Sequence, residues 1–401
     1  MLTVEQARER ILAAIAPLGS GNVRLEEASG RVLAAPLHSL ANLPAQDNSA
    51  MDGYALRADD VMQATSAHPV TLRLIGRAAA GEVFSGTLQT GECIRVFTGS
   101  PLPDGADAVV MQEDVTVDPQ ASDRIRISEK LTPFENVRLR AEDVREGEEL
   151  IAAGVKLNPQ RLGLAAACGI TSVSVHHRPV IGLLATGNEL VQPGAPLQPG
   201  QVYESNRLML AAALERLGFA TRIFPVVADT PEDTRQGIIE ALSECDALIT
   251  TGGASVGEAD YVKTALREAG GEIDFWRVAM RPGKPFIFGH IDGKPVFGLP
   301  GNPVSAFVTF HVLVRGALLK MQGLRRTELP GSLGVLGEAL VNRGDRPHFF
   351  RVRRNASGDI VSAGQQGSHR LRSLADAEGL VEIPPNCTLA EGTPVEILLL
   401  D

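Results

Sequence analysis

Three short loops carry residues suited to holding a phosphorylated ligand. They are Thr186-Gly-Asn-Glu-Leu190, then Thr250-Thr-Gly-Gly-Ala-Ser-Val-Gly257 with Glu258-Ala-Asp260 after it, and Gly298-Leu-Pro-Gly-Asn-Pro303. Each follows an apolar run that reads as a strand, and open α/β sheets bind ligands beyond the carboxyl ends of their strands. Gly252 and Gly253 let the backbone approach a ligand closely, while Ser255 can donate to an oxyanion and the next amides can form an anion nest. Glu189, Asp229 and Asp260 each stand just past a predicted strand. Carboxylates gathered there suit Mg²⁺, a hard cation that prefers oxygen and often bridges to phosphate. Taken singly, each is also an ordinary loop acid, and Asp229 beside Thr230 can simply support a helix start. A lone Gly-Gly turn is likewise a plain strand-to-helix connection; three such loops together favour a ligand site.

Arg277 and the run Arg281-Pro-Gly-Lys-Pro285 make a short cationic loop stiffened by Pro282 and Pro285. It suits an oxyanion, and it also reads as an exposed turn. The setting is acidic: 38 Lys plus Arg against 48 Asp plus Glu give a net charge of −10. A general nucleic-acid binder is normally basic, and an aromatic content of 4% leaves few rings for base stacking. An anionic ligand must therefore be held by local cations or helix N-termini against the overall field. The four cysteines, Cys93, Cys168, Cys245 and Cys387, are too far apart for a metal or redox pair, and His176-His177 lacks a third ligand at helical spacing. No uninterrupted apolar stretch nears ~18 residues, and the N-terminus shows no signal-peptide pattern, so a soluble cytoplasmic protein is expected.

The elements that must position these loops follow from hydrophobic period and caps. Thr3 with Gln6 predicts a capping box, and Ala7, Ile11, Ala14, Ile15 and Leu18 an apolar stripe, for a first helix closed by Pro17 and Gly19. Residues 24–44 read as short extended pieces. From residue 50 to about 140, short β-like runs alternate with Gly-rich turns; Asp52 and Thr98 lie in two such turns, where spacing alone gives them no function. A short helix is predicted at 161–168. Past Arg178-Pro179, strands at 180–185, 220–227, 247–250 and 296–299 alternate with helices at 205–217, from 231, at 261–269 and at 303–321. That alternation predicts a doubly wound parallel sheet. Beyond residue 323 the chain returns to β runs.

In order along the chain stand Ala50-Met-Asp-Gly-Tyr-Ala55, Phe97-Thr-Gly-Ser-Pro-Leu-Pro103, Ala185-Thr-Gly-Asn-Glu189, Gly252-Gly-Ala-Ser-Val-Gly257 with Asp260-Tyr261, Arg281-Pro-Gly-Lys-Pro285 and Gly298-Leu-Pro-Gly-Asn-Pro-Val-Ser305. Any one is weak. The ordered set is highly specific, spans nearly the whole chain, and resembles the MoeA family of molybdopterin molybdenumtransferases, related to the E domain of gephyrin. The resemblance implies an α/β plus β multidomain fold. Its parts are a split N-terminal domain (1–44 and 141–177), a β-rich insertion domain (45–140), a doubly wound MogA-like α/β molybdopterin-binding domain (178–325) and a C-terminal β domain (326–401). It implies a homodimer in which the insertion of one subunit lies near the α/β domain of the other. The implied reaction inserts molybdate into adenylylated molybdopterin, with Mg²⁺ assistance and release of AMP.

The same resemblance implies the residue roles. Asp52 and Thr98 would reach the site from the partner subunit. Glu189, Asp229 and Asp260 would position the nucleotide and its metal. Gly252, Gly253 and Ser255 would line the pterin phosphate pocket. Arg281, Lys284, Pro285 and Ser305 would hold molybdate, joined by Arg351 and Ser368 from the C-terminal domain, with Arg277 on the same cationic rim. Positions 277 and 281 carry arginine where the family carries lysine, which keeps the charge but exchanges a point charge for a planar fork. Implied partners are adenylylated molybdopterin, molybdate, a second copy of the chain and, transiently, molybdopterin adenylyltransferase and molybdoenzyme maturation proteins, with no nucleic acid and no membrane. Two other readings stay open: molybdopterin adenylyltransferase, whose α/β domain is alike, and a non-catalytic gephyrin-like scaffold.

Overall fold

A computed structural model describes residues 1–118, 121–253 and 261–400. The first helix, Val4–Ala14, starts on the expected box: the Gln6 amide donates to Thr3 Oγ1 at 3.2 Å and the Thr3 amide to Gln6 Oε1 at 3.1 Å. Its buried face, Val4, Ala7 and Ile11, packs into the core of the α/β layer, and Arg8 Nε donates to the Val312 carbonyl at 2.8 Å. Only then does the chain make a small ribbon. Ser20–Arg24 pairs antiparallel with Ser172–His176, and Leu37–His38 with Glu149–Ile151. Residues from both stretches, among them Leu33, Ile151, Leu157 and Val173, share one core. The segment between them forms a six-stranded mixed sheet of its own, with an apolar cluster on each face.

The α/β layer carries the three loops. Its elements are β1 (Val180–Ala185), α1 (Asn206–Leu217), β2 (Ala220–Ile223), α2 (Pro231–Glu244), β3 (Ala247–Thr251), α3 (Tyr261–Glu268), β4 (Glu272–Arg277), β5 (Pro285–Ile291), β6 (Lys294–Leu299) and α4 (Pro303–Thr309). The sheet order is β2-β1-β3-β6-β5-β4. Strand alternation sends side chains to both faces. Ile181, Leu183, Ile249 and Phe297 point to one core, while Leu184, Leu248 and Val296 point to the other, against Ile238, Ala241 and Leu266 of the helices. That double burial explains the continuous apolar runs of β1 and β3. Gly218, at φ 89°, stops α1 in the left-handed turn that glycine adopts most readily.

Two features differ from the sequence reading. The sheet is parallel only from β2 to β6; β5 and β4 complete it antiparallel. These strands escaped the helix-strand alternation because a tight loop, not a helix, joins each to the next. The predicted single helix over 303–321 contains a π turn, Phe310–Val314, between α4 and Arg315–Met321. This helix is long and apolar enough to cross a membrane, and 78% of its apolar window is buried inside the protein.

The C-terminal sheet of five antiparallel strands contains His348–Arg354 and Gly379–Ile383. Phe349 and Leu380 enter the α/β core, so this sheet is packed directly against the site-bearing layer. All four cysteines are free; Cys93 is buried, and burial pushes its thiol up to about 12, so it packs as an apolar side chain.

Candidate active site

The loops after β1, β3 and β6 meet at the carboxyl ends of the strands. Thr186 donates its amide to the Thr251 carbonyl at 3.0 Å, which draws the first two loops together. The approach is so close that only glycine fits. A Cβ on Gly252, at φ +89°, would lie 2.3 Å from the Thr186 carbonyl oxygen. These loops, with 301–303 and the N-terminus of α1, enclose a cavity of about 630 Å³. Glu189, Asp229, Gly252, Gly253 and Pro285 all line it.

Glu189 and Asp229 are thus brought together as expected. Asp229 has no part in starting α2. Thr230 is the cap, accepting from the Asp233 amide at 3.1 Å, whereas the Asp229 amide donates to Asn188 Oδ1 at 3.1 Å. Asp229 Oδ1 is buried with no hydrogen-bond partner among the described residues. Ser255 and Asp260 lie outside the described residues. Among the described residues no three His, Cys, Asp or Glu side chains are already gathered as a metal centre.

A second cavity, of about 510 Å³, opens beside the first. Arg281, Lys284, Pro285, Ser305 and Ser368 line it, as the sequence reading placed them together. Pro285 and Asn302 line both cavities, so the two are contiguous. The cationic loop is fixed from two sides. Arg281 donates its amide to the Pro347 carbonyl and accepts from the Phe349 amide, each at 2.8 Å. Gly283, at φ +106°, turns where a Cβ would sit 2.3 Å from Thr309 Oγ1. Asn302 Nδ2 donates to Ser368 Oγ at 3.3 Å and carries the C-terminal domain onto the rim.

Four expected residues stand elsewhere. Arg351 is fully buried and lies off the cavity walls. Its Nε donates to Ser373 Oγ at 3.1 Å, and its Nη2 donates to the carbonyls of Gln365 at 2.8 Å and Gly367 at 3.2 Å. Burial pulls its pKa down to about 10. Rather than lining the cavity, it braces the loop that presents Ser368. The reason is geometric: Arg351 faces inward from a central strand of the C-terminal sheet, so its guanidinium reaches the loop from behind. Arg277 ends β4 exposed, opposite Pro285, and lines neither cavity. Asp52 and Thr98 form a closed pair on the insertion sheet, away from both cavities. The Thr98 amide and hydroxyl donate to Asp52 Oδ1 at 2.8 and 2.9 Å. These bonds, with a smaller contribution from Arg95, hold the Asp52 carboxyl below its usual range.

The sequence reading missed several wall residues. Arg346, Gln366 and His369 line the cationic cavity, and Arg346 Nη1 donates to the Met280 carbonyl at 3.3 Å. Asn206 lines the first cavity, with its Nδ2 donating to the Gly301 carbonyl at 2.7 Å. Beside it, Glu204 and Arg207 form a buried ion pair at 3.0 Å. Asn206 lay in plain view at the start of the helix predicted over 205–217, next to the site; Arg346 carried no such signal.

Known proteins share this architecture. Residues 2–169 match the MoeA N-terminal region (domain I and II), residues 182–320 a probable molybdopterin binding domain, and residues 334–400 the MoeA C-terminal region (domain IV). The molybdopterin molybdenumtransferase of Haemophilus influenzae is 38% identical over 375 residues, covering 92% of this chain and 91% of that one. Its namesake from Nostoc is 36% identical over 90% of this chain and 78% of that one. The molybdopterin biosynthesis MoeA protein of Pyrococcus horikoshii OT3 superposes over the whole of both chains with a TM-score of 0.86 at 30% identity.

Proposed function

The chain belongs to the MoeA family of molybdopterin molybdenumtransferases, and from that premise we propose how its two cavities divide the work. In this reading the enzyme inserts molybdate into adenylylated molybdopterin during molybdenum cofactor synthesis and releases AMP. The adenylate half of the substrate lies in the cavity of Glu189 and Asp229. Molybdate lies in the cavity of Arg281, Lys284, Arg346 and Ser368. One observation carries the reading: the cavities are contiguous through Pro285 and Asn302, so one substrate spans an acidic pocket and a cationic one.

Molybdate is a dianion, and fixed cations in a partly covered pocket hold it where the dithiolene sulfurs arrive. Among the described residues that line both cavities, Pro285 and Asn302, neither is a nucleophile. The chain contributes positioning and electrostatic stabilisation, with Gly252 and Gly253 admitting the phosphates close to the backbone.

The first cavity also fits Mg²⁺. Its carboxylates are hard oxygen donors, and the buried, unpartnered Asp229 Oδ1 is an acceptor waiting for a cation. Glu189 and Asp229, joined by Asp260, would hold the ion, which would supply charge neutralisation at the phosphoanhydride. The remaining parts of the reading are a cytoplasmic homodimer and a second copy that brings Asp52 and Thr98 to this cavity. The closed Asp52–Thr98 pair, built but away from its own chain's cavities, supports that placement.

The test is a turnover assay with adenylylated molybdopterin. AMP release that requires molybdate is expected, and it should fall sharply in Lys284→Ala. Rapid adenylylation of molybdopterin by ATP without molybdate would overturn the insertion reading in favour of the adenylyltransferase one.

A further inference from the structure

We infer that Asn206 is a specificity-determining residue whose amide oxygen accepts a hydrogen bond from the amino-substituted edge of the substrate's heterocycle. The inference rests on the proposed use of the first cavity and adds what that cavity reads. Asn206 opens α1 and is nine-tenths buried on the cavity wall. Its Nδ2 donates to the Gly301 carbonyl at 2.7 Å. A carbonyl only accepts, so that bond fixes which way the amide faces and leaves Oδ1 as its open acceptor. Among the described residues Oδ1 has no partner, although it is buried. A buried acceptor without a donor is costly unless a ligand supplies one. Thr186 Oγ1 and Asp229 Oδ1, on the same wall, are unpartnered in the same way. Three such atoms thus share this one wall, as expected where a bound ligand or cation completes their contacts.

The orientation of Asn206 is itself held. The Glu204–Arg207 pair beside it is buried, and Glu204 Oε1 accepts from the Arg207 amide at 2.9 Å. Gly301 belongs to the loop that enters α4, so the bond ties the start of α1 to the loop after β6. A rigid acceptor discriminates between two heterocycles of one shape. A ring amino group donates to it; the corresponding ring carbonyl presents a second acceptor and is rejected. Two parts of the substrate have such an edge, the adenine and the pterin, and the chemistry they share is an exocyclic amino group beside a ring nitrogen.

Equilibrium titration of the full chain separates the sources. One arm compares AMP with IMP, which replaces the 6-amino group by oxygen. The other compares pterin with lumazine, which replaces the 2-amino group in the same way. Expected is a preference for the amino member of one pair by a factor on the order of ten or more. Asn206→Leu should reduce that preference to less than about twofold; Asn206→Ser, which keeps a hydroxyl donor near Gly301, should do the same if the leucine variant does not fold. Equal binding within both pairs by the unmodified protein overturns the inference without any variant, as does a preference that survives in Asn206→Ser. Binding of AMP or pterin with no discrimination within either pair sinks this inference alone. Failure to bind either AMP or pterin sinks the cavity assignment beneath it as well.

Discussion

The two cavities share a border but are built in opposite ways. The acidic cavity is made by consecutive strand ends of one sheet, each loop a few residues from the strand that aims it. The cationic cavity is assembled from a loop between β4 and β5, the start of α4, and segments 346 and 366–369 of another domain. The first is held by backbone closeness that only glycine permits. The second is held by bonds across an interface, Arg346 Nη1 to the Met280 carbonyl and Asn302 Nδ2 to Ser368 Oγ, while Arg351 braces the 365–367 segment from within the C-terminal domain. A local design resists small changes except at its glycines, whereas an assembled one fails wherever its brace fails.

The largest expected effect falls on the glycine turn. Gly252→Ala places a Cβ 2.3 Å from the Thr186 carbonyl oxygen at φ +89°. The backbone must shift, at about 3 kcal/mol or more, and the strand-end loops separate. Turnover should drop by on the order of a hundredfold, since displacements near 1 Å at a positioned site have that effect. The comparison variant is Gly194→Ala, at φ +97° with nothing within 4 Å. It should lose only the conformational preference of glycine, about 1 kcal/mol, and keep activity. Chemical denaturation and the AMP-release assay measure both. Equal behaviour of the two variants would break the claim that close approach defines the acidic cavity.

Next comes the brace. Arg351→Ala removes three hydrogen bonds and leaves the Gly367 carbonyl without this donor, while the Gln365 carbonyl keeps the Ser373 hydroxyl. The expected cost is about 2–3 kcal/mol in unfolding free energy. Molybdate affinity should fall as well, because the loop bearing Ser368 loosens, while AMP affinity stays as it was. Loss of molybdate binding at unchanged stability would instead put the guanidinium in contact with the anion.

This contrast also explains what was legible in the sequence. The strand-end loops were readable because glycines, carboxylates and the apolar runs before them lie within a few residues of one another. Glu189, Asp229 and Gly252 therefore line one cavity together. The helix caps at Thr3, Thr230 and Gly218 were readable for the same reason of short range. Arg351 was expected on the wall of the cationic cavity and lies behind it, because strand alternation does not say which face meets which domain. Arg346 gave no pattern at all, because its place depends on a contact between domains; Asn206 was visible at a helix start, but its role depends on which end of its amide faces the Gly301 carbonyl. The antiparallel β4 and β5 were missed because they lack an intervening helix.

Acid should distinguish the cavities too. His348 lies in the strand behind the cationic loop, where its residue pairs with Arg281 as a β-bridge. It is 2% exposed and its ring nitrogens have no partner among the described residues. Burial, with Arg281 and Arg351 nearby, pulls its pKa down to about 3. The folded state therefore keeps it neutral while the unfolded chain, with a pKa near ~6.5, takes up a proton. Stability is complete above ~6.5 and is lost as pH falls toward 3, by about 2–3 kcal/mol at pH 4.5. Urea unfolding at pH 7 and pH 4.5 should show a smaller difference in His348→Leu than in the unmodified protein. His311, also buried and lowered to about 3, contributes a loss of the same sign that this variant leaves in place. An identical pH difference in the variant would remove His348 from the account.

The smallest effect tests whether the assembled cavity has a cation that resemblance did not supply. Arg346 lines it beside Arg281 and Lys284, but unlike Arg351 it is partly open, with 26% of its side chain exposed. Its bonds to the Asp345 carboxylate and the Met280 carbonyl are long, at 3.4 and 3.3 Å, so the guanidinium is free to turn toward an anion at little cost. Partial exposure screens its charge, which limits its contribution to that of one ordinary charge-assisted hydrogen bond. Arg346→Ala should therefore weaken molybdate about tenfold and leave both AMP affinity and unfolding free energy within error of the unmodified protein. The pattern is the reverse of Arg351→Ala, where stability falls together with binding. If Arg346→Ala instead destabilises the fold and spares molybdate, the two arginines exchange roles, and the brace of the cationic cavity lies at its rim rather than beneath it.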